Sequence, residues 1–170
     1  MSAFLLSQII IGIAVCFDLV SFQFKDKKNI IKCFICAVIL IGIHFALLEQ
    51  WTGAGLMALG AFRYLISLYT TSNKMALLFC ISTLVVTFFT YAGIASILSC
   101  SAALIQNVAA FSNNDKRLRQ LMIVGTSLWL THNIVIGSPT AVLLEALFLS
   151  SNLIGYYRYY LKPAKTAEQL

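Results

Sequence analysis

The feature that most constrains this chain is a stretch of 37 residues, Met75–Phe111, without one charged side chain. A helix rises about 1.5 Å per residue and the hydrocarbon core of a bilayer is about 30 Å thick, so one span takes roughly 20 residues. The stretch is too long for one span and long enough for two, with a natural break at Tyr91-Ala92-Gly93. It divides into Met75–Thr90 and Ala92–Phe111. The remaining apolar runs are of span length as well: Ala3–Phe24, Ile30–Leu48, about Thr52–Thr70, Gln120–Ile136 and Thr140–Leu161. Charged or polar clusters separate them, among them Lys25-Asp26-Lys27-Lys28-Asn29 and Ser112–Arg119. Only 11% of the residues are charged, against roughly 25% in a soluble domain. Such a chain cannot clothe a soluble surface, which excludes a soluble globular enzyme and a disordered chain alike.

The predicted fold class is therefore all-α membrane, with seven transmembrane helices, and the charges support that count. Seven helices place Lys25, Lys27, Lys28, Lys32, Lys74, Lys116, Arg117, Arg119, Arg158, Lys162 and Lys165 on one side, eleven of the twelve Lys and Arg residues. Lys and Arg are retained in the cytoplasm, so the expected orientation has the N-terminus outside and the C-terminus inside. Six helices would put Lys116 to Arg119 outside. The net charge of +6 then reads as topology and attraction to anionic headgroups, not nucleic-acid binding. Met1-Ser2-Ala3 lacks the basic start of a cleavable signal. The five cysteines all sit in apolar runs. Cys33-Phe34-Ile35-Cys36 has redox spacing, but on an apolar helix without a second pair it reads as packing.

Laid on itself at an offset of 88, the chain matches residues 7–69 with 95–157 at 14 of 63 positions. The rarer matches matter most: the two basic loops align, and the only two histidines, His44 and His132, align. The repeat unit is three helices, and an odd linker helix gives both units the same orientation. The expected organisation is a single integral membrane domain over 1–170. Within it, residues 1–70 form the first three-helix repeat, 75–90 the linker helix, 92–161 the second repeat and 162–170 a cytoplasmic tail. This 3+1+3 plan resembles the SWEET, PQ-loop and KDEL-receptor proteins. The helix prolines common in those families are missing, since the prolines here are Pro139 and Pro163. Their substrate sites are not carried over.

A closer resemblance rests on ordered residues. The second half reads His132-Asn133, Gly137-Ser138, Glu145, Phe148-Leu149, Asn152 and Arg158; the first reads Gln8, a basic loop around Lys25–Lys32, His44-Phe45, Leu47-Leu48, Gly53-Ala54 and Arg63. The chain resembles the YgjV family of bacterial inner-membrane proteins over nearly its whole length. The resemblance implies a bacterial inner-membrane address and no substrate.

Polar groups at membrane depth mark candidate sites, because each costs roughly 2.5–3.5 kcal/mol at a helix centre unless it is partnered or hydrated. Asp18 and Arg63 each fall about 9–10 Å inside the cytoplasmic end of their helices. That depth predicts an ion pair, with Gln106, Asn107 and Asn152 at or beside the repeat counterparts. In the outer half, His132 can meet Glu145, and a His–carboxylate pair can carry a proton. His44 joins them by symmetry and Asn133 by adjacency. The structural alternatives are an ion pair that ties one bundle together, and histidines each satisfied by one backbone bond. No metal spacing, phosphate loop or nucleophile motif is present, so neither enzyme nor cofactor is expected. Trp129 either lines a cavity or faces lipid. Gly53, Gly55 and Gly60 give the third helix a small-residue face for a contact that is internal or between copies of the chain. The expected function is a small transporter-like protein for a small solute in the lipid bilayer, with proton linkage through His132 and Glu145. The alternative is a non-transporting receptor or assembly factor whose polar residues are structural.

Overall fold

The computed structural model describes residues 2–21, 27–112 and 114–161. Among them are seven helices and no strand: α1 (Ala3–Ser21), α2 (Lys27–Leu47), α3 (Trp51–Ser67), α4 (Asn73–Thr90), α5 (Ile94–Ala110), α6 (Asp115–Val135) and α7 (Pro139–Tyr156). Tyr157–Leu161 continues α7 as a wider π-helical turn. Residues 22–26, with Lys25 and Asp26 of the expected basic loop, and the tail 162–170 lie outside the described residues, whereas Lys27, Lys28 and Asn29 of that loop already belong to α2, which starts three residues before its apolar run.

The long uncharged stretch breaks where expected. Tyr91 leaves the helical region, and Gly93 adopts φ 98°, a left-handed value that a side chain would resist. The Ser96 hydroxyl accepts from the Ala92 N–H across the break. At α6 the helix starts five residues before its apolar run, at Asp115 rather than Gln120. The Asn114 side chain accepts from the Arg117 N–H and nucleates it there. Hydropathy marks where the apolar run begins, and the cap marks where the helix begins.

Sequential helices pack side by side, α1 on α2, α2 on α3, α5 on α6 and α6 on α7, with α4 between α3 and α5. Two further contacts join distant parts of the chain, α3 with α5 and α1 with α7. The bounds of α2 and α6 differ by 88 residues at both ends (Lys27 and Asp115, Leu47 and Val135). Their C-termini close identically. In α2 the Gln50 N–H donates to the Phe45 carbonyl and the Glu49 N–H to Ala46; in α6 Ser138 donates to Asn133 and Gly137 to Ile134. This is the left-handed helix stop that satisfies the last carbonyls.

The small residues of α3 make internal contacts. A Cβ at Gly53 would lie 3.1 Å from the Phe45 ring, and one at Gly55 would lie 2.7 Å from Val86 Cγ1. These glycines let α2 and α4 approach α3, so their face is not left for a second copy. Outward surfaces are apolar, most of all on α4, where Phe88 and Phe89 are 79% and 80% exposed. Among the described residues α4 is the one helix both long and apolar enough to cross a bilayer on length and composition alone. Shorter apolar stretches are Ala3–Phe17, Lys32–Leu47 and Ile94–Ala110.

The two helix stops differ in one respect. Gly137 takes the left-handed position at φ 68°, whereas the first repeat places Glu49 there at φ 58°. Glu49→Gly is expected to stabilise the protein by about 1 kcal/mol, and Gly137→Ala to destabilise it by a similar amount. Thermal midpoints of the purified variants in detergent test both signs.

Candidate functional site

The polar side chains gather in two layers. The first, labelled outer after the expected orientation as the second is labelled inner, lies where α1, α3, α5 and α7 begin and α2, α4 and α6 end. His44 and His132 form its centre, both buried. His44 Nδ1 lies 3.0 Å from the Ser7 carbonyl oxygen, and His132 Nδ1 lies 2.9 Å from that of Ala95. Ser7 and Ala95 are themselves 88 residues apart, so each histidine grips the first helix of its own unit in the same way. A carbonyl only accepts, so Nδ1 carries the hydrogen and the neutral ring offers Nε2 as an acceptor. For His44 that acceptor is used, since the Ser138 hydroxyl donates to it at 3.2 Å. For His132, Nε2 is enclosed and has no hydrogen-bond partner.

Around the histidines the two units exchange bonds across a seam. Gln8 on α1 donates to Ser138 Oγ at 3.3 Å, and its Oε1 accepts from the Thr140 N–H of α7 at 3.2 Å. Ser96 on α5 meets Thr52 of α3, hydroxyl to hydroxyl, at 2.8 Å. Thr52 also donates to the Thr90 carbonyl at 2.7 Å. Gln8 and Ser96 occupy equivalent positions, as do Thr52 and Thr140. The first helix of each unit thus bonds the third helix of the other. Phe45 is wedged between the histidines, 5.2 Å from the His44 ring and 5.3 Å from that of His132, and stacks on Trp129 at 5.6 Å.

The inner layer is centred on Arg63, 5% exposed. Its Nη1 donates to Asn107 Oδ1 at 3.0 Å, and Asn107 Nδ2 donates to Thr83 Oγ1 at 2.9 Å. The guanidinium carbon stands 5.0 Å from the Tyr64 ring centroid, and Nε is enclosed without a partner. Thus α3, α4 and α5 are tied by a guanidinium, an amide and a hydroxyl.

Several expectations change against this geometry. His132 Nδ1 bonds the Ala95 carbonyl, because the first turn of α5 lies against its ring, and Glu145 is half-buried. Arg63 finds an amide among the described side chains; the Asp18 side chain, and with it the expected ion pair, lies outside them. Gln106 is engaged by Trp129, whose Nε1 donates to Oε1 at 3.2 Å, so Trp129 is a buried core residue and does not face lipid. Asn152 pairs with Arg119, Nη1 to Oδ1 at 3.4 Å. Asn133 is buried with Oδ1 unpartnered. Among the described candidates, His44, His132 and Asn133 lie together with Gln106 beside them through Trp129, whereas Arg63 pairs with Asn107 and Asn152 with Arg119. Ser7, Ser96, Ser138, Thr52 and Thr83 carry much of the network and were not singled out. Hydroxyls within apolar runs are the available signal, and Thr52 and Thr140 are identical at the offset of 88. The five cysteines are free thiols. No group of three metal-ligating side chains occurs among the described residues.

A helical bundle with outward apolar faces and buried, mutually bonded polar groups is a membrane protein. Residues 5–163 match the family described as bacterial inner membrane protein, Imp-YgjV, and the chain belongs to that family. It is 26% identical over 160 residues to the inner membrane protein YgjV of Escherichia coli (strain K12), covering 94% of this chain and 87% of that one. No solved structure matches the chain.

The inner layer makes a quantitative test. Asn107→Ala strips both Arg63 and Thr83 of a buried partner, with an expected loss of about 2–4 kcal/mol. Arg63→Met combined with Asn107→Leu removes both polar partners and is expected to recover most of that loss. Denaturation in detergent of Asn107→Leu, Arg63→Met and their double variant gives the coupling; a double-variant loss equal to the sum of the two single losses would remove Asn107 as the group that satisfies Arg63.

Proposed function

We propose that the protein is a small, non-catalytic solute carrier of the bacterial inner membrane. All seven helices cross the bilayer, with the N-terminus outside and the C-terminus inside. Residues 1–70 and 92–161 act as two like-facing units joined by α4, and transport proceeds by rocking of one unit against the other. The observation that carries this reading is the reciprocal seam. Equivalent positions, Gln8 with Thr140 and Ser96 with Thr52, close the two units on each other at the outer end. Such a seam consists of a few hydrogen bonds, each worth roughly 0.5–1.5 kcal/mol net, so it can open without unfolding either unit. Within each unit the histidine–carbonyl bond keeps the first and second helices together as the seam opens. His44 and His132 are the candidates for proton linkage, in place of a His132–Glu145 pair.

One observation favours a second reading, a receptor or assembly factor that does not transport. Arg63, Gln106 and Asn152 each have their own separate partner. In that case the seam would be static.

Thiol labelling separates the two. In a cysteine-free background, Ser99→Cys lies one turn inside the seam on α5 and is fully buried. A rocking protein is expected to expose it intermittently to a membrane-impermeant maleimide added outside. Thr52→Val, which removes a seam bond, should speed labelling about fivefold for each kcal/mol lost. A residue that stays unlabelled in both backgrounds would favour the static reading. Reporter fusions at both termini test the orientation, with opposite compartments expected.

A further inference from the structure

We infer that the last turn of α6 carries a binding site for a small solute presenting N–H or O–H donors. His132 Nε2 and Asn133 Oδ1 are its acceptors, and the Phe45–Trp129 stack is its wall. This deepens the transport reading and rests on it, since an opened seam is the way in.

Four observations lead here. First, the two histidines make the same bond through Nδ1, but only His44 has a donor at Nε2. The repeat counterpart of that donor, Ser138, is Gln50, whose side chain makes no bond to the α3 cap. Second, the next residue, Asn133, stands where the first unit has Phe45. An apolar residue would fill this position at no polar cost; the amide oxygen instead lies buried and unpartnered. Two orphaned acceptors on successive residues, 1% and 2% exposed, are uncommon in a folded interior and need an explanation. Third, both orphans are acceptors, which selects for a donor and against an anion. An amine, an ammonium or a hydroxyl supplies that chemistry. Fourth, the neighbours suit such a group. Phe45 and Trp129 lie within 5.3 Å of the His132 ring, centroid to centroid, and aromatic faces attract ammonium and C–H groups alike. Phe45 belongs to α2 and His132 to α6, so the site straddles the two units.

The test uses the purified full-length protein in detergent, with thermal midpoints recorded in methylammonium chloride, in glycerol and in tetramethylammonium chloride at matched ionic strength. The first two probes bring N–H or O–H donors, and the third brings none. The readout is the response of the parent protein minus that of Asn133→Leu, which cancels general solvent effects. Asn133→Leu is expected to raise the midpoint without any probe, because an unsatisfied group is gone, and to weaken the donor-probe response about tenfold. A response to methylammonium names amines as the solute class, and one to glycerol names hydroxyls. Equal responses in parent and variant for every probe would overturn the site. So would a response to tetramethylammonium as large as that to methylammonium, or a fall in the probe-free midpoint of Asn133→Leu. Labelling of Ser99→Cys by maleimide together with equal probe responses in parent and Asn133→Leu overturns the site and leaves the transport reading standing, whereas absence of labelling closes the way in and removes both, so the two failures are told apart.

Discussion

A histidine N–H aimed at a backbone carbonyl on a neighbouring helix fixes the geometry of each half of this protein. At membrane depth a polar hydrogen has no water to return to, so a bond made there is held by the cost of breaking it. Because His44 grips Ser7 and His132 grips Ala95, the start of the first helix and the end of the second are tied in each unit. The ring orientation then follows, and with it the tautomer. So does the direction in which Nε2 points, towards Ser138 in one unit and towards no partner in the other. The seam, the aromatic wedge of Phe45 and the orphaned acceptors are all placed by these two bonds.

The symmetry is closest in the backbone and weakest in the side chains. The bounds of α2 and α6, their helix stops and the histidine–carbonyl bonds repeat at 88 residues. The inner layer does not repeat. Arg63 and Asn107 have Ser151 and Leu19 at their equivalent positions, so the second unit cannot build the same network. A protein whose halves share a frame but differ in their buried polar groups can hold two units in like geometry and still give them separate tasks.

Much of the frame was legible in the sequence, for a simple reason. Each helix follows an apolar run of limited length, and turn residues such as Tyr91-Ala92-Gly93 punctuate those runs. The aligned histidines pointed to the outer layer. The partners were not legible, because the acceptors that matter most are backbone carbonyls, and a carbonyl at Ala95 leaves no mark in residue type. Trp129 is not assigned by periodicity because Thr126, Ser127, Thr131, His132 and Asn133 spread polar groups around α6 near it and mark no single apolar face. The start of α6 was misplaced because charged residues were read as loop, whereas the Asn114 cap carries the helix out past the hydrophobic boundary.

The spacing of these bonds along the chain also dictates an order of assembly during synthesis. His44 and Ser7 are 37 residues apart, so the first unit can close its own tie while α4 is still to be made. The Thr52–Ser96 half of the seam becomes available next. The Gln8–Thr140 half must wait, across 132 residues, for the final helix to emerge. A nascent chain therefore keeps α1 without its last neighbour until translation is almost complete, and truncated products are exposed along that one edge.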